Sequence, residues 1–299
     1  MTNCYGLTTP VHDSIGIAFD PFLGAANHSC EPNVAVIMSG RSASMRALRP
    51  IAKDEEITVS YIDDRNPYET RQAQLRERYR FTCSCRKCVS HDYYDQSGPN
   101  YSKPEPSTFT KLDHARSDHT APQAAIKICT DILRSRLSLP KPPPITAEPY
   151  AGARTELIGR LLEIDDLLPA LRHSAKRYFD IDPVRFPQPF EPRRVTNAWA
   201  LLRVILRLND QPESPLTQEL FVEQAFDGVV IMWRLIGEVR RSVGRSHGPG
   251  EFSDLVQRLE AEVKASITAA GGARAVGYVE QDPEGFWERF KGWKDEVDY

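Results

Sequence analysis

Cys83-Ser84-Cys85-Arg86-Lys87-Cys88 places three thiols within six residues at C-x-C-x2-C spacing. Thiolates this close can converge on one ion, and zinc in a structural role takes four nitrogen or sulfur ligands in a closed tetrahedron. A fourth ligand is therefore required. His91 offers a local one at C-x2-H spacing, whereas Cys30 offers a distant one that would tie the cluster back to the strand-rich part of the chain. Arg86 and Lys87 stand where they would offset thiolate charge. Cys4 and Cys129 have no partner spacing and read as ordinary cysteines.

A second group of residues surrounds Asn27-His28-Ser29-Cys30-Glu31-Pro32-Asn33 and includes Tyr61, Tyr79 and Phe81. Taken singly, these are unremarkable in type. Tyr61 would pack at a strand end, Phe81 would sit in a core, His28 would be a satisfied structural histidine, and Asn3 would be a turn residue. Glu55-Glu56 reads as a solvated turn with one buried, hydrogen-bonded glutamate and not as an acid–base pair.

The elements needed to bring these groups together are legible from periodicity. Ser14–Phe19, Val34–Met38 and Glu56–Ile62 read as strands, with turn chemistry at Ser39-Gly40 and Lys53-Asp54. Residues 68–80 switch to helix and run into the cysteine cluster. A linker rich in Ser, Pro, Tyr and Asn spans 93–108. Beyond it, apolar residues recur at three- and four-residue steps: Leu157, Leu161, Ile164, Leu168 and Leu171; then Trp199, Leu202, Ile205 and Leu206. Phe221 to Ile236, Phe252 to Val263 and Phe286 to Phe290 continue the series, with proline-rich breaks at Pro140–Pro149 and Pro183–Pro192. These stripes are core faces of at least five helices. The expected fold is α+β followed by all-α, divided into 1–67, 68–92 with the cysteine cluster, the 93–108 linker, and a helical domain over 109–299.

The formal net charge is −3, which argues against bulk electrostatic capture of nucleic acid. No apolar run approaches the ~18 residues that span a bilayer, so no membrane partner is expected. Six cysteines in 299 residues are too sparse for a secreted disulfide scaffold. Nucleus or cytoplasm is the expected location.

Three segments together resemble the SET domain of the SET-and-MYND lysine methyltransferases: Gly24 to Asn33, Glu55 to Asp63, and Tyr79 to Cys88. The resemblance covers roughly residues 1–90, the C-terminal part of that domain with its post-SET motif. It is weaker for the helical remainder, which is compatible with the family's tetratricopeptide-like domain. The resemblance implies a protein-lysine N-methyltransferase using S-adenosyl-L-methionine, a structural zinc ion, and a protein substrate carrying a target lysine, histone or not. It implies Tyr61 as the active-site tyrosine. Asn3, Asn27, His28, Tyr79 and Phe81 would line the cofactor pocket, Phe81 by stacking on adenine. Cys30 would join Cys83, Cys85 and Cys88 on the metal, and the Asn27-His28 segment would thread a knot-like crossing. A peptide is the expected kind of partner for the helical domain if that domain serves as an interaction module.

The family's opening Gly-x-Gly loop, its basic cofactor-binding residue and its MYND insertion have no counterpart before Asn3, so the chain is expected to begin in mid-domain. The alternative function is a non-catalytic, zinc-stapled interaction module.

Overall fold

A computed structural model of the chain describes residues 4–8, 14–39, 42–90, 101–210, 217 and 227–294. The strands form three two-stranded units. Strand β1 (Cys4–Thr8) runs antiparallel to β2 (Ser14–Phe19), with Cys4 opposite Phe19. Strand β3 (Asn27–His28) pairs in parallel with β6 (Thr58–Val59), Asn27 opposite Thr58 and His28 opposite Val59. Between them, β4 (Val34–Ser39) and β5 (Ser42–Ala47) form an antiparallel hairpin.

The strand expected over Glu56–Ile62 contracts to Thr58–Val59, for a specific reason. The buried Asn33 side chain takes the place of a neighbouring strand: its Nδ2 donates to the Glu56 carbonyl at 2.8 Å and its Oδ1 accepts from the Thr58 amide at 2.8 Å. Beyond Val59, the Ser60 hydroxyl donates to the Ile62 carbonyl at 2.9 Å. Side chains thus satisfy backbone groups that a longer ladder would have used.

Helix α1 (Tyr68–Tyr79) follows Pro67 and ends where Arg80 adopts a left-handed conformation, φ 63°. That turn releases Phe81–Cys85 as extended chain before the short α2 (Arg86–Val89). The helical part consists of α3 (Pro106–Ala115), α4 (Pro122–Leu137), α5 (Tyr150–Glu163), α6 (Leu167–Lys176), a π turn at Arg177–Ile181, α7 (Asp182–Arg185), α8 (Pro192–Asn209), α9 (Gly228–Ser246), α10 (Glu251–Gln281) and α11 (Phe286–Trp293). Proline begins α3, α4 and α8, where its missing N–H costs nothing. Glu191 caps α8 by accepting from the Arg194 amide, and Asp227 caps α9 through the Val229 and Val230 amides. Helix α10 breaks at Gly271-Gly272, with Gly272 at φ 65°.

The principal core lies where α8 buries Trp199, Leu202 and Ile205 against Leu235, Ile236 and Val239 of α9. The apolar series Leu157 to Leu171 divides between α5 and α6, and Ile164, in the turn between them, is exposed and not core. Phe221 and Ala225 lie outside the described residues.

Contacts between the strand-bearing part and the helical part include two that involve arginine side chains. Arg193 of α8 pairs with Asp64 at 2.8 Å, and Lys87 donates to the Asp64 carbonyl at 2.6 Å. Arg46 of β5 donates to the His247 carbonyl at 3.2 Å, and the adjoining Gly248, at φ 79°, has no room for a Cβ beside that guanidinium. Among the described residues, no helix is long and apolar enough to cross a membrane.

Candidate cofactor pocket and metal centre

The sulfurs of Cys30, Cys83, Cys85 and Cys88 all lie within 4.8 Å of one another. Four thiolates at about 2.3 Å from a tetrahedral zinc ion sit about 3.8 Å apart. The Cys30–Cys88 sulfur separation is 3.6 Å, so this donor set fits zinc in both chemistry and spacing. Cys30 comes from the loop after β3, Cys83 and Cys85 from the extended run after α1, and Cys88 from α2. His91 lies outside the described residues.

Helix α1 positions the cluster with polar side chains. Gln72 donates from Nε2 to the Cys83 carbonyl at 2.9 Å and accepts the Cys83 amide on Oε1 at 3.0 Å. Arg71, only 2% exposed, directs its guanidinium at the Cys88 sulfur, 3.7 Å away, and donates to the Asn66 carbonyl at 2.6 Å. A four-thiolate zinc site carries excess negative charge, and Arg71 is the cation that faces it. Of the sequence-based choices for that role, Lys87 also acts electrostatically on Cys30, whereas Arg86 points elsewhere. Arg86 is exposed and pairs with Glu31 at 3.6 Å, and Lys87 is directed to the Asp64 carbonyl. A hydrogen bond from Cys30 pulls the Cys83 thiol down, while that same bond and burial push Cys30 up.

Arg71 and Gln72 escaped sequence reasoning because they read as surface residues of a charged helix. The available signal was scarcity: between Tyr68 and Tyr79, Leu75 is the one large aliphatic residue. A helix packed on a core through that face had to bury polar groups as well.

Beside the cluster, four rings gather. The His28 and Tyr61 centroids are 5.2 Å apart, His28 and Phe81 5.9 Å, Tyr61 and Tyr79 4.9 Å, and Tyr61 and Phe81 6.5 Å in an edge arrangement. All four rings are partly exposed, leaving apolar faces open to a ligand. The Tyr61 hydroxyl donates to the Ala26 carbonyl at 2.6 Å, and the Tyr79 hydroxyl donates to the Tyr61 carbonyl at 3.3 Å. Asn27 is exposed, and its amide donates to Glu56 Oε1 at 2.6 Å. Glu55 accepts from Arg49, the Ala52 amide and Asn33, which hold its carboxyl down at about 2 with Arg49 the largest cause. It is thus a fastening group and not a proton donor near neutrality. Asn3 lies outside the described residues.

These features define a class. Residues 12–62 match the SET domain family model. The chain is 42% identical over 86 residues to the SET domain and MYND-type zinc finger protein 6 of Schizosaccharomyces pombe, covering 29% of this chain and 18% of that protein. It is 41% identical over 92 residues to N-lysine methyltransferase SMYD2 of Homo sapiens, and 33% identical over 90 residues to human histone-lysine N-methyltransferase SMYD3. Each of those matches covers 30% of this chain and 21% of the relative. The chain carries a SET-domain segment similar to that of the SMYD proteins, and the matched stretch spans about a fifth of the length of these relatives.

Proposed function

We propose that this chain acts in S-adenosylmethionine-dependent N-methylation of lysine side chains in proteins. The observation that carries this reading is the Tyr61 hydroxyl, fixed on the Ala26 carbonyl inside a ring cluster seated on four cysteines. Relatives named as N-lysine and histone-lysine methyltransferases support it. S-adenosylmethionine would supply the activated methyl group. Asn27, His28, Tyr79 and Phe81 would line its pocket, with Phe81 offering a flat apolar face to the purine.

Because the Tyr61 proton is committed to Ala26, the phenolic oxygen presents lone pairs. Those lone pairs can accept an N–H from a lysine amine and orient it for in-line displacement. The aromatic rings exclude water and favour the neutral, nucleophilic amine. Zinc held by Cys30, Cys83, Cys85 and Cys88 would be structural, fixing Phe81 two residues from Cys83. The helical part, read as tetratricopeptide-like, would offer a peptide surface, and the protein would act in the nucleus or cytoplasm on a histone or another protein.

The test is calorimetric titration of the full chain with S-adenosylhomocysteine, followed by transfer of labelled methyl to a lysine-peptide array. Saturable binding and Tyr61-dependent transfer, falling on the order of 100-fold or more in Tyr61→Phe, support the reading. Absence of binding would leave a non-catalytic zinc-stapled module.

A further inference from the structure

Both ring nitrogens of His28 are engaged. The Tyr61 backbone N–H points at Nδ1 from 3.1 Å, so Nδ1 must offer a lone pair. A neutral imidazole that accepts at Nδ1 carries its proton on Nε2, and Nε2 lies 3.2 Å from the Cys30 sulfur. The contact with Cys30 is therefore an N–H···S bond, donated by the ring to a metal-ligating sulfur, with the Cys83 sulfur also within its reach. The opposite tautomer would set two N–H groups against each other at Tyr61. Doubly protonated imidazole would do the same.

The backbone around the ring is held in register as well. His28 pairs with Val59 in the β3–β6 ladder, and the Ser29 amide donates to the Val59 carbonyl at 2.9 Å. One side chain thus spans from a metal ligand to the backbone of Tyr61, two residues beyond β6.

We propose that the His28 imidazole is a positioning residue, a fixed Nε2–H tautomer that joins the four-cysteine centre to the Tyr61 segment. It uses both nitrogens in that bridge, so that the ring would line the cofactor pocket through its face alone. This inference rests on the zinc reading above. Donation to a thiolate lowers the charge that the sulfur places on the ion and fixes the orientation of Cys30, as hydrogen-bonding partners of metal ligands commonly do. Filling the metal site would accordingly also fix where Tyr61 stands.

The test uses the full chain, labelled with 15N-histidine and loaded with 113Cd in place of zinc. The expected result is a long-range imidazole spectrum with the His28 proton on Nε2 and a scalar coupling from that proton to 113Cd through the sulfur. His28→Asn, which can accept from Tyr61 but cannot reach Cys30, should weaken zinc binding in chelator competition by about 10–100-fold. His28→Gln, whose longer amide can donate to the sulfur, should recover most of that loss. A proton on Nδ1, a missing coupling, or wild-type zinc affinity in His28→Asn overturns the proposal. The wild-type spectrum decides the matter even where a variant fails to fold. Failure of the wild-type chain to take up one metal ion on four sulfurs overturns the zinc reading instead, and the two failures are distinguishable.

Discussion

Gln72 grips Cys83 by the backbone, with one end of its amide on the carbonyl and the other on the N–H, at 2.9 and 3.0 Å. Both residues are buried. The side chain thereby imitates a strand partner for a single residue and sets where the first cysteine of the C-x-C-x2-C run stands. Gln72→Ala leaves a buried donor and a buried acceptor unpaired, each costing about 1–3 kcal/mol. The expected outcome is a lower thermal midpoint and a zinc affinity reduced by about 10–100-fold. Unchanged affinity in chelator competition would mean that the cysteines set their own geometry.

The cysteine cluster is also the apolar centre of its own part of the fold. Cys30, Cys83 and Cys88 are buried with Leu75, and Tyr61, Ile62, Tyr68, Tyr79 and Phe81 pack around them. So small a core cannot supply much burial energy, and a metal ion held there would add to the folding energy of this part. We expect about one zinc per chain, released in Cys30→Ala and retained in His91→Ala. Chelation should shift the tyrosine signals of residues 61–79 while the helical circular dichroism, dominated by α3–α11, survives. Retention of metal by Cys30→Ala would instead assign the fourth position to a local ligand.

How much of this was legible in the sequence follows from the physics of each signal. The C-x-C-x2-C spacing and the helix over 68–80 are local, and both stand in the structure, the helix as Tyr68–Tyr79. The choice between Cys30 and His91 needed long-range information, which the bare spacing does not carry. The structure brings Cys30 to the cluster, as the family resemblance implied. The strand is shorter than Glu56–Ile62 because Asn33 occupies its hydrogen-bonding edge, which β-propensity does not see. Leu157 to Leu171 read as one stripe because 3.6-residue periodicity continues in phase across the short turn that holds the exposed Ile164. Arg71 leaves only the indirect trace of a helix poor in aliphatic residues, and the tautomer of His28, which depends on which groups face each other in space, leaves none.

Arg193 couples the two parts of the molecule. It pairs with Asp64 at 2.8 Å and with Glu191, the cap of α8, at 2.7 Å, while its guanidinium lies 4.5 Å from the Phe186 ring centroid. Asp64 follows Tyr61 by three residues, so this contact anchors the segment that carries the candidate catalytic hydroxyl. The pair is partly exposed, which keeps its worth modest. A double-mutant cycle of Arg193→Ala and Asp64→Ala should give a coupling of about 0.5–1.5 kcal/mol in urea unfolding. Additive effects would show that the ion pair does not hold the parts together.

Asp182 offers a pH-dependent measure of the helical core. It is 1% exposed, and burial raises its carboxyl to about 6 despite opposing help from Arg177, Asn197, Arg185 and Arg194. Asn197 donates to both carboxylate oxygens, at 3.0 and 3.1 Å. A folded-state value above the unfolded one means that the folded protein binds the proton more tightly. The contribution of this group is therefore full below about pH 4 and is lost as pH rises through about 6. Asp182→Asn cannot ionise and should lack that loss, whatever fixed cost it carries from leaving Arg177 without a counter-charge. The unfolding free energy of Asp182→Asn minus that of the wild type should rise between pH 4 and 7 by about 2–3 kcal/mol. Urea unfolding at both pH values supplies the difference, and a pH-independent gap would show that Asp182 ionises at its ordinary value in the folded protein.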